Sequence, residues 1–587
     1  MATADSPTTA DGSTPLRSWR LVAVGAWAGL LAGLAEGALL AATRHVPTIL
    51  SPHKAPLDVV WIAPLANAIV FAAASAGLSL IGTLWRRRLG SRFDTLIVGS
   101  ALFGMLAIPL ITLEVLFLPS ALLLALGAAV LLTRRFGSRI VSATGMLAQR
   151  LLVLPLVVAV LSLITTGVTR YAEWRVAGAL PAAAVGAKNV LILVLDTVRR
   201  DRFARDVRSM LAPTIDSLHD VGTWYRQAWS TSSWSLPSQA SLLTGRYPHE
   251  HGADWPGIGL RSEVPTLPEV LAEHGYATGA FSGNSSWVVP EHLGRGFARF
   301  EAYRAIDVVQ RLAGYRAVKP ILMAMGVHDS GYGRQAPSLR SALARFIDDY
   351  HGRPFFAYVC LMDVNQALHR RRLSHPAWED DPDADQVRAA YDSSLRVVDG
   401  EIAGILADLR TRGVLDNTLI VITSDHGESF GAEGTRDHDP EGHGSSLYPE
   451  QTRVPLLVIL SKANQRAEIV DVPVSIRALA STVLEALGFP DATRFGRGLP
   501  IHGAATEAAA PAAASAVLLT LRYADVHEDA LVEGTSFLLR RAADRGQESR
   551  LYDIARDPFA TRELDDEEKV QEMQQRLDSL LGASSVP

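Results

Sequence analysis

Apolar positions crowd the first third of the chain in five successive stretches, 21–42, 59–84, 96–113, 115–132 and 151–168. At about 1.5 Å per helical residue, each is long enough to cross a hydrocarbon core of roughly 30 Å. One such stretch alone reads equally well as a buried core helix. Five in a row, joined by short polar links, predict a transmembrane bundle over 19–172, after a flexible tail over 1–18.

From Lys188 onward the pattern changes. NVLILVL (189–195) is a continuous apolar run, as expected of a strand covered on both faces of a mainly parallel sheet, and similar runs recur at 355–362 and 418–423. Segments of helical periodicity alternate with them, for example over 386–410. The reading is a linker over 173–187, a doubly wound α/β domain over 188–503, and a small C-terminal α+β subdomain over 504–587.

Charge adds direction to this picture. Arg17 and Arg20 precede the first span; Arg86, Arg87, Arg88 and Arg92 follow the second; Arg134, Arg135, Arg139 and Arg150 lie between the fourth and fifth. These are alternate links, so the positive-inside rule puts them in the cytoplasm and exports everything after Arg170. The expected setting is the plasma (inner) membrane, multi-pass, with the α/β domain periplasmic or extracellular and the lipid bilayer as a partner. Glu36 and Glu114 are acids in apolar surroundings, the first a candidate for pairing with a neighbouring helix and the second for capping an outer turn. The net charge of −5 argues against a nucleic-acid partner, and the single cysteine, Cys360, excludes a disulfide framework.

In open α/β sheets ligands bind beyond the carboxyl ends of the strands. Three acids lie there: Asp196 after the first run, Asp363 after the second, and Asp425 after the third, followed at once by His426. One such acid reads equally as a helix cap; three on one edge, one beside a histidine, suit a divalent metal with mixed oxygen and nitrogen ligands. Ser235 precedes a proline-started helix that Gly245 would end, which places its hydroxyl where a helix N-terminus favours an anion. The plain alternative there is an N-cap serine.

The runs SLPSQASLLTGRYPHEHG (235–252), TSDHGE (423–428), RVPLLV (453–458) and LYDIARDP (551–558) resemble the sulfatase family of the alkaline phosphatase superfamily. The resemblance extends over nearly all of 188–583. It implies an alkaline-phosphatase-like sheet, a nucleophile at Ser235, and one divalent metal ion (Mn, Zn or Ca) held by Asp196, Ser235, Asp425 and His426. His443, in a Gly-His-Gly, is the second catalytic candidate; Arg246, His251, Asp363 and Asn365 are candidate substrate contacts; and Asp363, His369 and His443 are candidates for a second metal.

The chain also departs from that family. Gln239 stands where the motif has an arginine that enzymes converting the nucleophile to formylglycine seek, so Ser235 is expected to remain serine. Thr197 replaces a second acid, Ser282-Gly283-Asn284 replaces a Lys-x-His element, and Asp363-Val364-Asn365 departs from Asp-Pro-His. The five-span architecture resembles lipoteichoic acid synthases and phosphoethanolamine transferases. Three functions therefore stand: a sulfate ester hydrolase using an unmodified serine, a phosphoester hydrolase or transferase acting on envelope or lipid-linked substrates, and a non-catalytic membrane protein keeping the fold.

Overall fold

The computed structural model describes residues 18–42, 55–89, 91–113, 116–203, 211–324, 333–374, 384–431, 442–462, 465–500, 516–543 and 546–582. Arg17 and Glu114 lie outside the described residues. The chain divides into two compact units, one of residues 1–171 and 304–327, the other of residues 172–303 and 328–587.

The first unit holds five helices: α1 (Ser18–Ala42), α2 (Val59–Leu89), α3 (Ser91–Thr112), α4 (Leu118–Gln149) and α5 (Val153–Ala179). All five are long and apolar enough to cross a membrane. α5 runs on past the expected span into the segment read as a linker. Ile69, Leu80, Leu123, Leu131 and Leu163 point outward and exposed, as lipid-facing side chains do. α1 is the central helix, and a row of glycines explains how. A Cβ on Gly25, Gly29 or Gly33 would lie 2.5, 2.2 or 2.4 Å from the carbonyl oxygens of Phe71, Asn67 and Ala63 on α2. Small residues every fourth position let two backbones touch where no hydrophobic effect drives them together.

The same unit takes in residues 304–327, which the sequence reading leaves in the α/β domain. Two helices, Ala305–Arg311 and Ala313–Ala324, pack here: Val308 and Leu312 lie against Val59, Ile62 and Ala63, and Ala313 against Ala32 and Ile108. Glu36 joins them to the bundle. Its carboxylate, fully buried, accepts from the Asn67 amide (2.7 Å), the Ala313 backbone N–H (2.6 Å) and the Thr112 hydroxyl (3.3 Å).

The second unit is built on an eight-stranded sheet. Its order is Glu468–Val470, Thr223–Tyr225, Leu456–Ile459, Thr418–Thr423, Asn189–Leu195, Phe355–Leu361, Ala277–Ser282, Arg299–Glu301. Every neighbouring pair is parallel except those made by Leu456–Ile459. The three apolar runs read from the sequence are the three central strands, and all their residues are buried. Two cores cover the faces: Val190, Ile192 and Val194 meet one, Leu191, Leu193 and Leu195 the other. Side chains alternate across a strand, so both sets must be apolar. A four-stranded antiparallel sheet over Val517–Asp553 follows, backed by the helix Glu567–Gly582 through Met573 and Leu577. The architecture is the expected one, a helical bundle followed by an α/β sheet domain with a C-terminal α+β part.

Candidate active site

The central strand Asn189–Leu195 delivers Asp196 to the carboxyl edge of the sheet, where its N–H bonds the Leu361 carbonyl (2.9 Å). Thr197, next along, holds φ at +65°, a left-handed conformation that a β-branched residue adopts only under constraint. The constraint is visible: the Tyr391 hydroxyl donates to the Thr197 carbonyl (2.9 Å) and accepts from the Arg199 N–H (2.7 Å). The neighbouring strand Thr418–Thr423 brings in Asp425 and His426. Ser424 locks the two strand ends together, its hydroxyl bonded to the Leu195 and His426 carbonyls and to the Val198 N–H.

Ser235 is the first residue of the helix Ser235–Thr244, after an extended Trp234, and Gly245 ends that helix in the left-handed conformation. A Cβ on Gly245 would meet the Phe495 carbonyl oxygen at 2.4 Å, so only glycine fits this stop. The Ser235 hydroxyl lies 3.3 Å from Asp196 Oδ2 and 3.2 Å from His426 Nε2. His426 Nδ1 faces the Gly427 carbonyl at 2.9 Å, and a carbonyl only accepts, so Nδ1 carries the proton. Nε2 therefore turns a lone pair toward Ser235. Burial holds the His426 ring below its ordinary value and keeps it neutral.

Asp196, Asp425 and His426, all fully buried, have donor atoms within 4.8 Å of one another. Among the described residues they form the one such group of three; Asp363, His369 and His443 do not belong to it. With two acids facing each other out of water, burial first and the Asp425 charge second push the Asp196 carboxyl up to about 8. Three neutral amides complete the surroundings. Asn284 donates to Asp196 Oδ2 (3.1 Å) and to Ser235 Oγ (3.2 Å), its orientation fixed because Oδ1 accepts from the Ser286 and Trp287 N–H groups. Asn365 donates to Asp196 Oδ1 (3.3 Å). Gln239 donates to Asp425 Oδ2 (2.7 Å) while its own oxygen accepts from the Tyr358 hydroxyl (2.6 Å).

His443 lies beside this group, its ring centroid 4.4 Å from that of His426, and donates from Nδ1 to the buried Glu428 carboxylate (2.5 Å). Other expected contacts fall elsewhere. His251 is fully buried behind the helix, donating to the Pro237 carbonyl and accepting from the Ala253 N–H, and burial pulls it down to about 3. These bonds hold its ring inside the fold. Arg246 sits past the far end of the Ser235 helix and donates to the Arg494 carbonyl. Asp363 accepts the Ala336 N–H at the start of another helix, and His369 lies farther along the helix that Asp363 begins.

The sequence reading missed the roles of Asn284, Gln239 and Glu428. Asn284 and Gln239 were visible only as departures from a charged pattern, and nothing in the spacing marks an amide as a partner of an acid. Glu428, inside SDHGE, signalled nothing until His443 came to its side.

A hydroxyl at a helix N-terminus thus faces two acids and a histidine beyond the carboxyl ends of a mainly parallel sheet, where an α/β sheet holds its ligands. The sulfatase family pattern matches residues 188–489, and the chain belongs to that family. It is 23% identical over 346 residues to human N-sulphoglucosamine sulphohydrolase, covering 52% of this chain and 61% of that protein. It is 26% identical over 307 residues to the low-salt glycan biosynthesis sulfotransferase Agl7 of Haloferax volcanii, covering 52% of this chain and 62% of that one. The chain thus spans less than two thirds of the length of these relatives. Among solved structures, Ps i-CgsB superposes with a TM-score of 0.51 at 20% identity, over 68% of this chain and 93% of its own. The phosphonate monoester hydrolase of Silicibacter pomeroyi does so at 0.50 and 19%, over 68% and 94%; both share the fold.

Proposed function

We propose that the chain is a membrane-anchored, metal-dependent sulfuric ester hydrolase, its α/β unit outside the cytoplasm, in which Ser235 attacks as an unmodified serine. The observation that carries this reading is the Ser235 hydroxyl, within hydrogen-bonding reach of both Asp196 and His426 at the buried centre of a sulfatase-family domain. The residues suit a divalent ion: among the described residues, amides and hydroxyls but no Lys or Arg bond the two facing carboxylates, and His426 presents a lone pair. Asp196, Asp425 and His426, with Ser235, would hold it, and mixed oxygen and nitrogen donors suit Mn or Zn, with Ca the all-oxygen alternative. When bound, such an ion lowers the pKa of a nearby hydroxyl and draws charge from the ester oxygens.

The protein's own groups supply the rest. Ser235 Oγ, aimed by Asn284, gives up its proton to the Asp196 carboxylate and forms a bond to sulfur as the sulfur–alkoxide bond breaks. His443, held by Glu428, donates a proton to the departing alkoxide. Water then displaces Ser235 from sulfur, its proton going to His443 while Asp196 returns the first proton to Ser235 Oγ.

Charge bears on the substrate. Two carboxylates and one divalent ion sum to zero, and the other described side chains bonded to Asp196, Asp425 and Ser235 are three amides and the neutral His426 ring. Such a site suits a singly charged ester. A sulfate monoester carries one negative charge, as does a phosphodiester; a phosphate monoester carries nearly two. This favours the phosphodiester as the second reading and counts against the phosphate monoester.

The test is hydrolysis by the full chain in detergent of p-nitrophenyl sulfate, bis-p-nitrophenyl phosphate and p-nitrophenyl phosphate, after chelation and with Mn, Zn or Ca restored. Metal-dependent turnover of the sulfate, and a Ser235 peptide of unmodified mass, are expected. Metal-independent turnover, or a formylglycine mass at Ser235, rejects the mechanism.

A further inference from the structure

The helices Ala305–Arg311 and Ala313–Ala324 gather at one end of the bundle. Val308 and Leu312 lie against Val59 and Ile62 in the first turn of α2, and Ala313 against Ile108 near the end of α3. Glu36, near the end of α1, accepts from the Ala313 N–H. The basic links read from the sequence make this the outer end. Aromatic side chains fit that placement. Trp61, in the first turn of α2, donates its indole N–H to Asp58 (3.0 Å), and Tyr171, near the end of α5, is 59% exposed. Rings with a polar edge collect where hydrocarbon gives way to headgroups.

The helix Ala313–Ala324 has two faces, because positions three and four apart fall on the same side. Ala313, Gly314, Ala317 and Val318 make an apolar face; Tyr315, Arg316 and Lys319 share the opposite one. The bundle covers the start of the apolar face. Ala313 is buried, and a Cβ on Gly314 would lie 3.5 Å from Ile108 Cδ1 and 3.8 Å from Asn67 Oδ1. One turn on, Ala317 and Val318 are exposed, Val318 at 44%. The apolar face thus runs off the bundle at the level where its helices end. Charge accompanies it: Arg304, Arg311, Arg316 and Lys319 stand against one acid, Asp307, which Arg304 pairs at 2.8 Å. Acyl chains beneath and phosphates around such a helix satisfy both faces at once; water satisfies one.

We infer that the helix Ala313–Ala324 lies in the outer headgroup layer of the bilayer, with Ala317 and Val318 toward the acyl chains and Arg316 and Lys319 among the phosphates of anionic lipids. The inference rests on the membrane-anchored reading above. It adds to the five spanning helices a lipid-binding element that lies along the surface, supplied by a stretch of chain between the strand Arg299–Glu301 and the helix Ala336–Asp349.

The test places an NBD fluorophore on Val318→Cys and, as control, on Val397→Cys, an exposed position on the helix Ala384–Thr411 of the α/β unit. The native Cys360 is buried and stays unlabelled in the folded chain. Each full-length protein is held in nanodiscs of phosphatidylcholine with about one third phosphatidylglycerol. Doxyl-labelled lipid is expected to quench the Val318 probe at least about twofold more than the Val397 probe, and aqueous iodide to do the reverse. Equal quenching of the two probes overturns the inference. Protection of the Val318 probe from both agents also overturns it, and assigns that face to a protein surface. In discs of phosphatidylcholine alone, or with Arg316→Gln and Lys319→Gln together, doxyl quenching at Val318 is expected to fall by about half. No change in either case overturns the assignment of anionic lipid. Entry into the discs, read by co-elution, reports the spanning bundle separately. A chain that enters while its Val318 probe meets only iodide keeps the anchored reading and rejects this one; a chain that does not enter rejects both.

Discussion

Glu36 in the bundle and the Asp196–Asp425 pair in the α/β unit are all fully buried carboxylates, yet they are satisfied in opposite ways. Glu36 is solitary: an amide, a backbone N–H and a hydroxyl bond its oxygens. These donors, with the nearby charge of Arg316, balance it, and the result is a fastening between α1 and the helix that begins at Ala313. Asp196 and Asp425 also accept from amides, but they face each other and a histidine lone pair. Amides cannot neutralise two such charges; a cation can. A buried acid in an apolar helix is therefore not a reaction site for being buried. Convergence of acids, and not burial, marks the chemistry.

The largest expected effect tests the convergent side. Ser235→Ala should cost about four orders of magnitude or more in kcat, as loss of an attacking hydroxyl does, with the apparent melting temperature nearly unchanged. Retained activity would transfer the attack to another group. His443→Ala comes next, with a loss of about a hundredfold to a thousandfold in kcat. Glu428→Gln should lose less and shift the pH profile, since Glu428 acts through His443. Equal losses with identical profiles would make the pair merely structural.

The solitary side predicts the reverse pattern. Glu36→Ala leaves buried donors at Asn67, Ala313 and Thr112 without their acceptor, at about 1–3 kcal/mol for each one left unsatisfied. Thermal unfolding in detergent should show a clear fall, while kcat of the folded protein stays within about twofold. A large loss of kcat with no fall in stability would make Glu36 part of the chemistry.

The smallest effect is one of pH. In metal-free protein, burial first and the Asp425 charge second push the Asp196 carboxyl up to about 8, from an ordinary carboxylate value of about 4. A value raised on folding means that the protonated form stabilises the fold. That contribution is whole below about pH 4 and is lost as pH rises through about 8. Chelated protein should lose apparent melting temperature across this range, more steeply than Asp196→Asn, and metal should remove the difference. Parallel curves for wild type and variant would reject the Asp196–Asp425 repulsion.

Legibility followed the same division. The strands at 189–195 and 418–423 and the acids at their ends were readable, because a buried parallel strand needs an unbroken apolar run and its carboxyl end is where ligands meet it. The glycine row Gly25, Gly29 and Gly33 was in plain view but carried no message until α2 was seen touching it. The helices over 304–327 were not legible as part of the bundle: each is short, and what seats them is Glu36, 277 positions from Ala313. His251 read as a site histidine because it follows the nucleophile motif closely, whereas the turn after Gly245 carries it behind the helix. Asn284 needed three dimensions, since its value lies in donating to two groups that the sequence separates from it by 88 and 49 positions.

The most direct test of the account is a calorimetric titration of Mn2+ into chelated full-length protein in detergent at pH 7.5, run alongside Asp425→Asn and Glu36→Gln. The account predicts one ion per chain for the wild type, the same for Glu36→Gln, and affinity reduced at least about tenfold for Asp425→Asn. Binding that survives Asp425→Asn unchanged, or no binding to the wild type of Mn2+ or of Zn2+ and Ca2+ in its place, would contradict it.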